Sequence, residues 1–115
     1  MPRNVIDAIQ GTLEFLVLKT LSWGPMHGYA IGRWIFAVTQ EELNVEQGTL
    51  YPALHRMEDR GWLLSSWQIT ETGREAKVYR LSAAGRRELA ARAADWQRTM
   101  KAVERVLTIA PERGR

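Results

Sequence analysis

Six side chains near the carboxyl end, Leu89, Ala93, Trp96, Met100, Val103 and Leu107, recur at steps of four and three. This 4-3-4-3-4 spacing is the a/d seam of a heptad: it places all six on one stripe of one helix. Ser82 supplies a hydroxyl where such a helix would need its first amides capped, and Pro111 stops it, so a helix is expected over 82–108. The stripe is roughly 28 Å long at the helical rise. The residues left over from a 115-residue chain offer no obvious surface of that length. The seam is therefore expected to pack on a second copy of the chain.

Three shorter helical patterns precede it. Over 12–22, Leu13, Leu16, Val17 and Leu21 share a face, with Thr12 in an N-cap position and Gly24-Pro25 beyond the end. Over 28–39, Ile31, Ile35 and Val38 share a face. Over 46–60, Leu50, Leu54 and Met57 do the same, and Gly61 suits a C-terminal cap. The start of this third helix is open to two readings. Asn44 and Gln47 have capping-box spacing, which favours an early start. Pro52 favours a later one, because proline fits best where amides have no partner. A start near Gln47 is expected. Residues 62–69 and 77–81 are rich in strand formers, and the polar run 70–76 between them contains Gly73, so a hairpin follows the third helix. Trp23, Trp62 and Trp67 are expected in the core and the hairpin.

The fold class that follows is mainly α with a small β-hairpin, a winged helix-turn-helix plus a C-terminal dimerisation helix. Residues 1–81 form the winged domain, 82–110 the dimerisation helix and 111–115 a frayed tail. The first ten residues are candidates for packing on the partner.

Composition removes whole classes of chemistry. There is no cysteine, so disulfides, thiolate metal sites and thiol nucleophiles are out. No metal-binding motif places a carboxylate beside either histidine, His27 or His55, at ligand spacing, and no Gly-rich phosphate loop or nucleophile–base pair appears. No metal, cofactor or enzymatic activity is expected. The amino terminus lacks signal-peptide features and no apolar run reaches bilayer length, so a cytoplasmic protein with no membrane association is expected. The net charge of +3 permits DNA binding without demonstrating it.

One helix face is compatible with duplex DNA as a partner. Opposite the Leu50/Leu54/Met57 stripe lie Gly48, Tyr51 and His55, with Thr49 and Arg56 flanking them and Gln47 at the start. A helix entering the major groove needs this division, apolar on one side and hydrogen-bonding on the other. By face geometry alone, an ordinary solvated face is the plainer reading. Arg74 and Lys77 on the hairpin suit phosphate contact, although Glu71 and Glu75 fit a plain solvated turn. Tyr29 fits either a phosphate contact or a core position. The competing functional class is a winged helix used as a protein-interaction module.

Residue patterns then narrow the choice. Gly11-Thr12-Leu13 with Leu16-Val17-Leu18, then His27-Gly28-Tyr29-Ala30-Ile31, then Gly48-Thr49-Leu50-Tyr51-Pro52-Ala53-Leu54-His55-Arg56-Met57-Glu58, Gly61-Trp62-Leu63 and Lys77-Val78-Tyr79-Arg80-Leu81-Ser82 occur in order. The chain resembles the PadR-like transcriptional regulators, particularly the short subfamily with a single C-terminal helix. Two departures are visible: Met57 where leucine is usual, and Val78 before Tyr79 where many members have two tyrosines. The resemblance implies a winged-helix homodimer that binds a pseudo-palindromic operator as a repressor. In some members DNA is released when a small aromatic effector binds. Trp96, with Met100 and Leu89 nearby, is the candidate effector site, against a plain packing role for the same ring.

Overall fold

The computed structural model describes the backbone of residues 5–112 and the side chains of residues 11–112. In chain order the elements are α1 (Val5–Leu21), β1 (Met26–His27), α2 (Gly28–Val38), α3 (Gln47–Asp59), β2 (Leu63–Ile69), β3 (Glu75–Leu81) and α4 (Ala83–Thr108). The strands form one antiparallel sheet in the order β1-β3-β2. This is a winged helix-turn-helix followed by a long helix.

The apolar stripes meet in one core. Leu13, Val17, Leu18 and Leu21 of α1 pack with Ile31 and Ile35 of α2, with Leu50, Ala53, Leu54 and Met57 of α3, and with Leu63, Tyr79 and Leu81 of the hairpin. Each fully buried aliphatic side chain contributes roughly 2 kcal/mol, so α3 is held by its inner face and its outer face is left to solvent.

The end of α3 and the start of α4 are locked together. Gly61 has φ +80, the left-handed conformation glycine adopts without strain. Its amide donates to Glu58 O at 2.9 Å and the Trp62 amide donates to Met57 O at 3.0 Å, a Schellman closure. Ser82 then caps α4 as its sequence position suggests: its Oγ accepts from the Gly85 amide at 3.0 Å. The same hydroxyl donates to Gly61 O at 2.5 Å, and the Ser82 amide donates to Trp62 O at 3.0 Å. Gly85 lies so close to this turn that a Cβ there would be 2.1 Å from Trp62 O.

The structure corrects several expectations. The first helix begins at Val5, so Thr12 lies inside it and is no N-cap; Gly11 is tolerated within the helix, where glycine costs about 1 kcal/mol. For α3 the expected start holds: the helix begins at Gln47, with Glu46 as an N-cap without a side-chain bond, and the alternative cap Asn44 lies outside it. Val38 is exposed, because α2 outruns the core after Ile35. Trp23 is also exposed; it follows α1 in a turn and stacks under Lys19, whose Nζ is 4.6 Å from the ring centre. The two-residue β1 was not expected, being too short to show a period. The side chains of the first ten residues, and residues 113–115 of the tail, lie outside the described residues.

Candidate nucleic-acid interface

The outer face of α3 carries exposed Gln47, Gly48, Thr49, Tyr51 and His55, while Leu50, Ala53, Leu54 and Met57 are buried beneath them. Beside this face runs a groove of about 930 Å³. The start of α2 (Gly28 and Tyr29) and Tyr51 of α3 line one side; the hairpin lines the other with Trp67, Ile69, Arg74 and Lys77. Four residues singled out from sequence, Tyr29, Tyr51, Arg74 and Lys77, therefore share one concavity although they come from three separate segments.

Local packing explains how the two tyrosines are set. Gly28 opens α2 directly against α3: a Cβ at this position would be 2.8 Å from Tyr51 Cε1 and 3.4 Å from Tyr79 Cε2. Absence of a side chain at Gly28 is what lets the Tyr51 ring lie where it does. Tyr29 stacks on His27 with ring centres 5.6 Å apart and 19° between planes. Neither α2 nor α3 has an acidic residue in its first turn or a side-chain cap. The start of α2 thus leaves its positive dipole end without a neighbouring carboxylate, whereas α3 carries Glu46 at its N-cap position.

The basic residues divide into two groups. Arg74, at the hairpin turn, is exposed and makes no ion pair among the described residues. Lys77 and Arg56 are engaged within the chain. Lys77 Nζ lies 3.1 Å from Glu58 Oε1 and 5.4 Å from the Tyr79 ring centre, and Ser65 donates to the other Glu58 oxygen at 2.5 Å. These contacts tie the wing to the last turns of α3. The Ser65 hydrogen bond and the Lys77 ammonium hold the Glu58 carboxyl below its ordinary pKa, and the bond to Glu58 raises that of Lys77. Burial pushes the Tyr79 phenol up. Arg56 is half-buried, with Nε 3.8 Å from Glu14 Oε2. His55, fully on the outer face, sits 3.6 Å from Asp59 one turn later.

Sequence reading missed the hub on the far side of α3. Glu14 is a buried carboxylate of α1. It receives Arg92 of α4 at 3.1 Å and Arg60 at 3.5 Å, with Arg56 just beyond. Arg92 and Arg60 also lie over the Trp62 ring, at 4.9 and 5.2 Å from its centre. An acid inside the apolar run Leu13–Leu18 was the available signal. Trp67 and Ile69 of the groove were also missed as site residues.

Along α4 the seam divides. Leu89 packs against the core of its own chain, Ala93 is half-buried, and Trp96 meets Phe15 of α1 with ring centres 5.8 Å apart. Met100, Val103 and Leu107 follow on an exposed stretch with Val106 and Ile109. Among the described residues, no group of three His, Asp or Glu side chains could hold a metal ion, and no helix is long and apolar enough to cross a membrane.

A recognition helix braced by a wing, with a groove between them, defines a winged helix-turn-helix regulator. The chain belongs to the PadR-like family of transcriptional regulators, whose family model matches residues 17–91. Among solved structures, a PadR-family transcriptional regulator from Eggerthella lenta is 31% identical, with a TM-score of 0.75 over 92% of this chain and 90% of its own. A transcriptional regulator from Clostridium thermocellum is 28% identical, with a TM-score of 0.77 over 86% and 96%. The transcriptional regulator Rv3488 of Mycobacterium tuberculosis is 41% identical over 59 residues, 50% of this chain and 54% of that protein. The match thus spans about half the length of this curated relative.

Proposed function

We propose that the chain is a repressor that binds a pseudo-palindromic operator as a homodimer, with α3 in the major groove and the hairpin against the adjoining backbone. One observation carries the reading. The outer face of α3, with Gln47, Gly48, Thr49, Tyr51 and His55, adjoins a groove whose opposite wall is the wing with Arg74. In this reading Gln47 and Thr49 would contact base edges, and Tyr29, Tyr51 and Arg74 phosphates. Arg56 and Lys77 act from their ion pairs, Lys77 chiefly by fixing the wing to α3.

The exposed stretch of Met100, Val103 and Leu107 supports pairing with a second copy, with residues 82–110 as the dimerisation element. Two recognition helices related by a two-fold axis would read half-sites about one helical turn apart. A flat aromatic effector belongs to the same reading: Trp96 and Met100 are both partly exposed where two such helices would cross, while Leu89 is turned to its own core.

The test is selection of bound sequences from random duplex DNA, followed by affinity measurements across salt. The expected result is an enriched inverted repeat, a steep fall of affinity with salt, and altered base preference on changing Gln47 or Thr49. Binding indifferent to both sequence and salt would overturn the reading in favour of a protein-interaction module. The effector is tested by tryptophan fluorescence with flat aromatic compounds, comparing the native chain with Trp96→Ala.

A further inference from the structure

The wing carries an apolar pair with no cover. Residues that face each other across β2 and β3 share a side of the sheet, and the pairs Leu63–Leu81, Ser65–Tyr79, Trp67–Lys77 and Ile69–Glu75 define one such side. Its inner half is core: Leu63, Tyr79 and Leu81 are buried, and Ser65 bonds Glu58 of α3. Its outer half continues past α3 into the groove, where Trp67 is 65% and Ile69 75% exposed. A strand that keeps Trp and Ile on the side facing its own recognition helix, with nothing over them, is presenting an apolar surface.

Charge decides what that surface meets. Residues 70–77 hold two cations, Arg74 and Lys77, and two carboxylates, Glu71 and Glu75. All four line the groove, and Lys77 is already paired with Glu58. With Lys77 paired, Arg74 stands against Glu71 and Glu75, so the wing has no net attraction for phosphate and only Arg74 offers one locally. The groove offers hydroxyl and guanidinium donors (Tyr29, Tyr51, Thr70, Thr72 and Arg74) beside apolar flanks (Trp67 and Ile69). A nucleic-acid strand has the matching alternation, an anionic phosphate followed by an apolar sugar edge.

We infer that Trp67 and Ile69 are the wing's DNA-binding residues, packing on the deoxyribose edge of the strand that occupies this groove. The wing thus holds DNA mainly by apolar burial and only secondarily by charge. This rests on the DNA-binding reading above, and the experiment separates the two. Affinity for the selected duplex is measured from low to high salt for the native chain, Trp67→Ala, Trp67→Phe, Ile69→Ser and Arg74→Ala. Apolar burial does not release counterions. Trp67→Ala should therefore lower affinity roughly tenfold at every salt concentration, leaving the salt slope unchanged. Ile69→Ser should act in the same direction, and Trp67→Phe should restore most of the loss. Arg74→Ala should reduce the slope by about one contact and cost less than Trp67→Ala at high salt. Both apolar side chains are exposed, so thermal unfolding of the variants should match the native chain. If Trp67→Ala binds within twofold of native throughout while the native chain binds normally, this inference is wrong and the DNA reading stands. If the native chain binds no duplex, both fall.

Discussion

Arg92 of α4 donates to Glu14 of α1 across 3.1 Å, and the same guanidinium lies over the Trp62 ring at the end of the α3 turn. One cation therefore joins the long helix, the first helix and the segment leaving the recognition helix. Glu14 is buried and its three arginines are partly exposed, so the acid depends on them more than they depend on it. Removing the partner of a buried charge is costly. Arg92→Ala should lower stability by about 2 kcal/mol, a drop in Tm of roughly 10 °C for a domain near this size. Glu14→Gln should cost a similar amount, and the double variant less than the sum of the two. Denaturant unfolding of the four species checks the coupling.

Gly85 predicts a sharper effect. A methyl group 2.1 Å from the Trp62 carbonyl has no flexible neighbour to displace, because the contact is backbone. Gly85→Ala should shift the first turn of α4 and cost about 1–3 kcal/mol, the range for overpacking. Calorimetric melting would read the loss.

Gly28 is the contrasting case. Its missing Cβ would meet the edge of the Tyr51 ring, a partly exposed side chain and not backbone. Gly28→Ala should thus melt close to the native temperature yet, if the proposed DNA-binding reading holds, bind DNA less tightly, because Tyr51 is displaced from the groove. A loss of stability as large as that at Gly85 would contradict this.

The Glu58–Lys77–Ser65 contacts give a pH dependence with a definite sign. The Glu58 carboxyl is held below its ordinary value of 4.5, first by Ser65 and then by Lys77. Its contribution to stability is present above that value and is lost as pH falls through the depressed pKa. Lys77 is raised above 10.5, chiefly by Glu58, so its contribution is complete below 10.5 and is lost as pH rises through the raised value. Glu58→Gln should flatten the acid limb of the stability profile relative to the native chain and leave the neutral plateau lower.

The proposed dimer makes a simple demand on α4. Replacing Met100 and Val103 with Asp places unpaired charge on the exposed stretch, which a helix–helix interface would not accept. Sedimentation should show monomers for the double variant and dimers for the native chain. A native chain that sediments as a monomer at micromolar concentration would remove the dimer from the proposal.

Much of this architecture was legible because helical stripes and strand alternation report burial directly. The stripe of Leu50, Leu54 and Met57 located the recognition helix and therefore its outer face. Gly61 marked the end of α3 and Ser82 the start of the long helix by their conformational chemistry. What escaped depends on contacts between distant segments. The roles of Arg56 and Lys77 are set by Glu14 and Glu58, and a sequence shows only that each is a cation. Trp67 reads from sequence as a core or hairpin residue because aromatic type suggests burial. Its exposure follows from where α3 ends its cover of the sheet, which no period within β2 records. The length of α1 exceeds the expectation because Thr12 has the chemistry of an N-cap although it lies inside the helix.

The joint made by Gly61, Trp62, Ser82 and Gly85 leaves no slack between the reading head and the long helix. In the proposed dimer, the separation of the two heads is then a dimension written in helical turns. A heptad inserted between this joint and the exposed stretch would keep the seam on the same side and lengthen the arm by roughly 10 Å, about three base pairs of duplex. An insertion of one or two residues would instead rotate the head about the arm and spoil the match to both half-sites at once. Operator spacing would then be tunable in steps of a heptad, and not continuously.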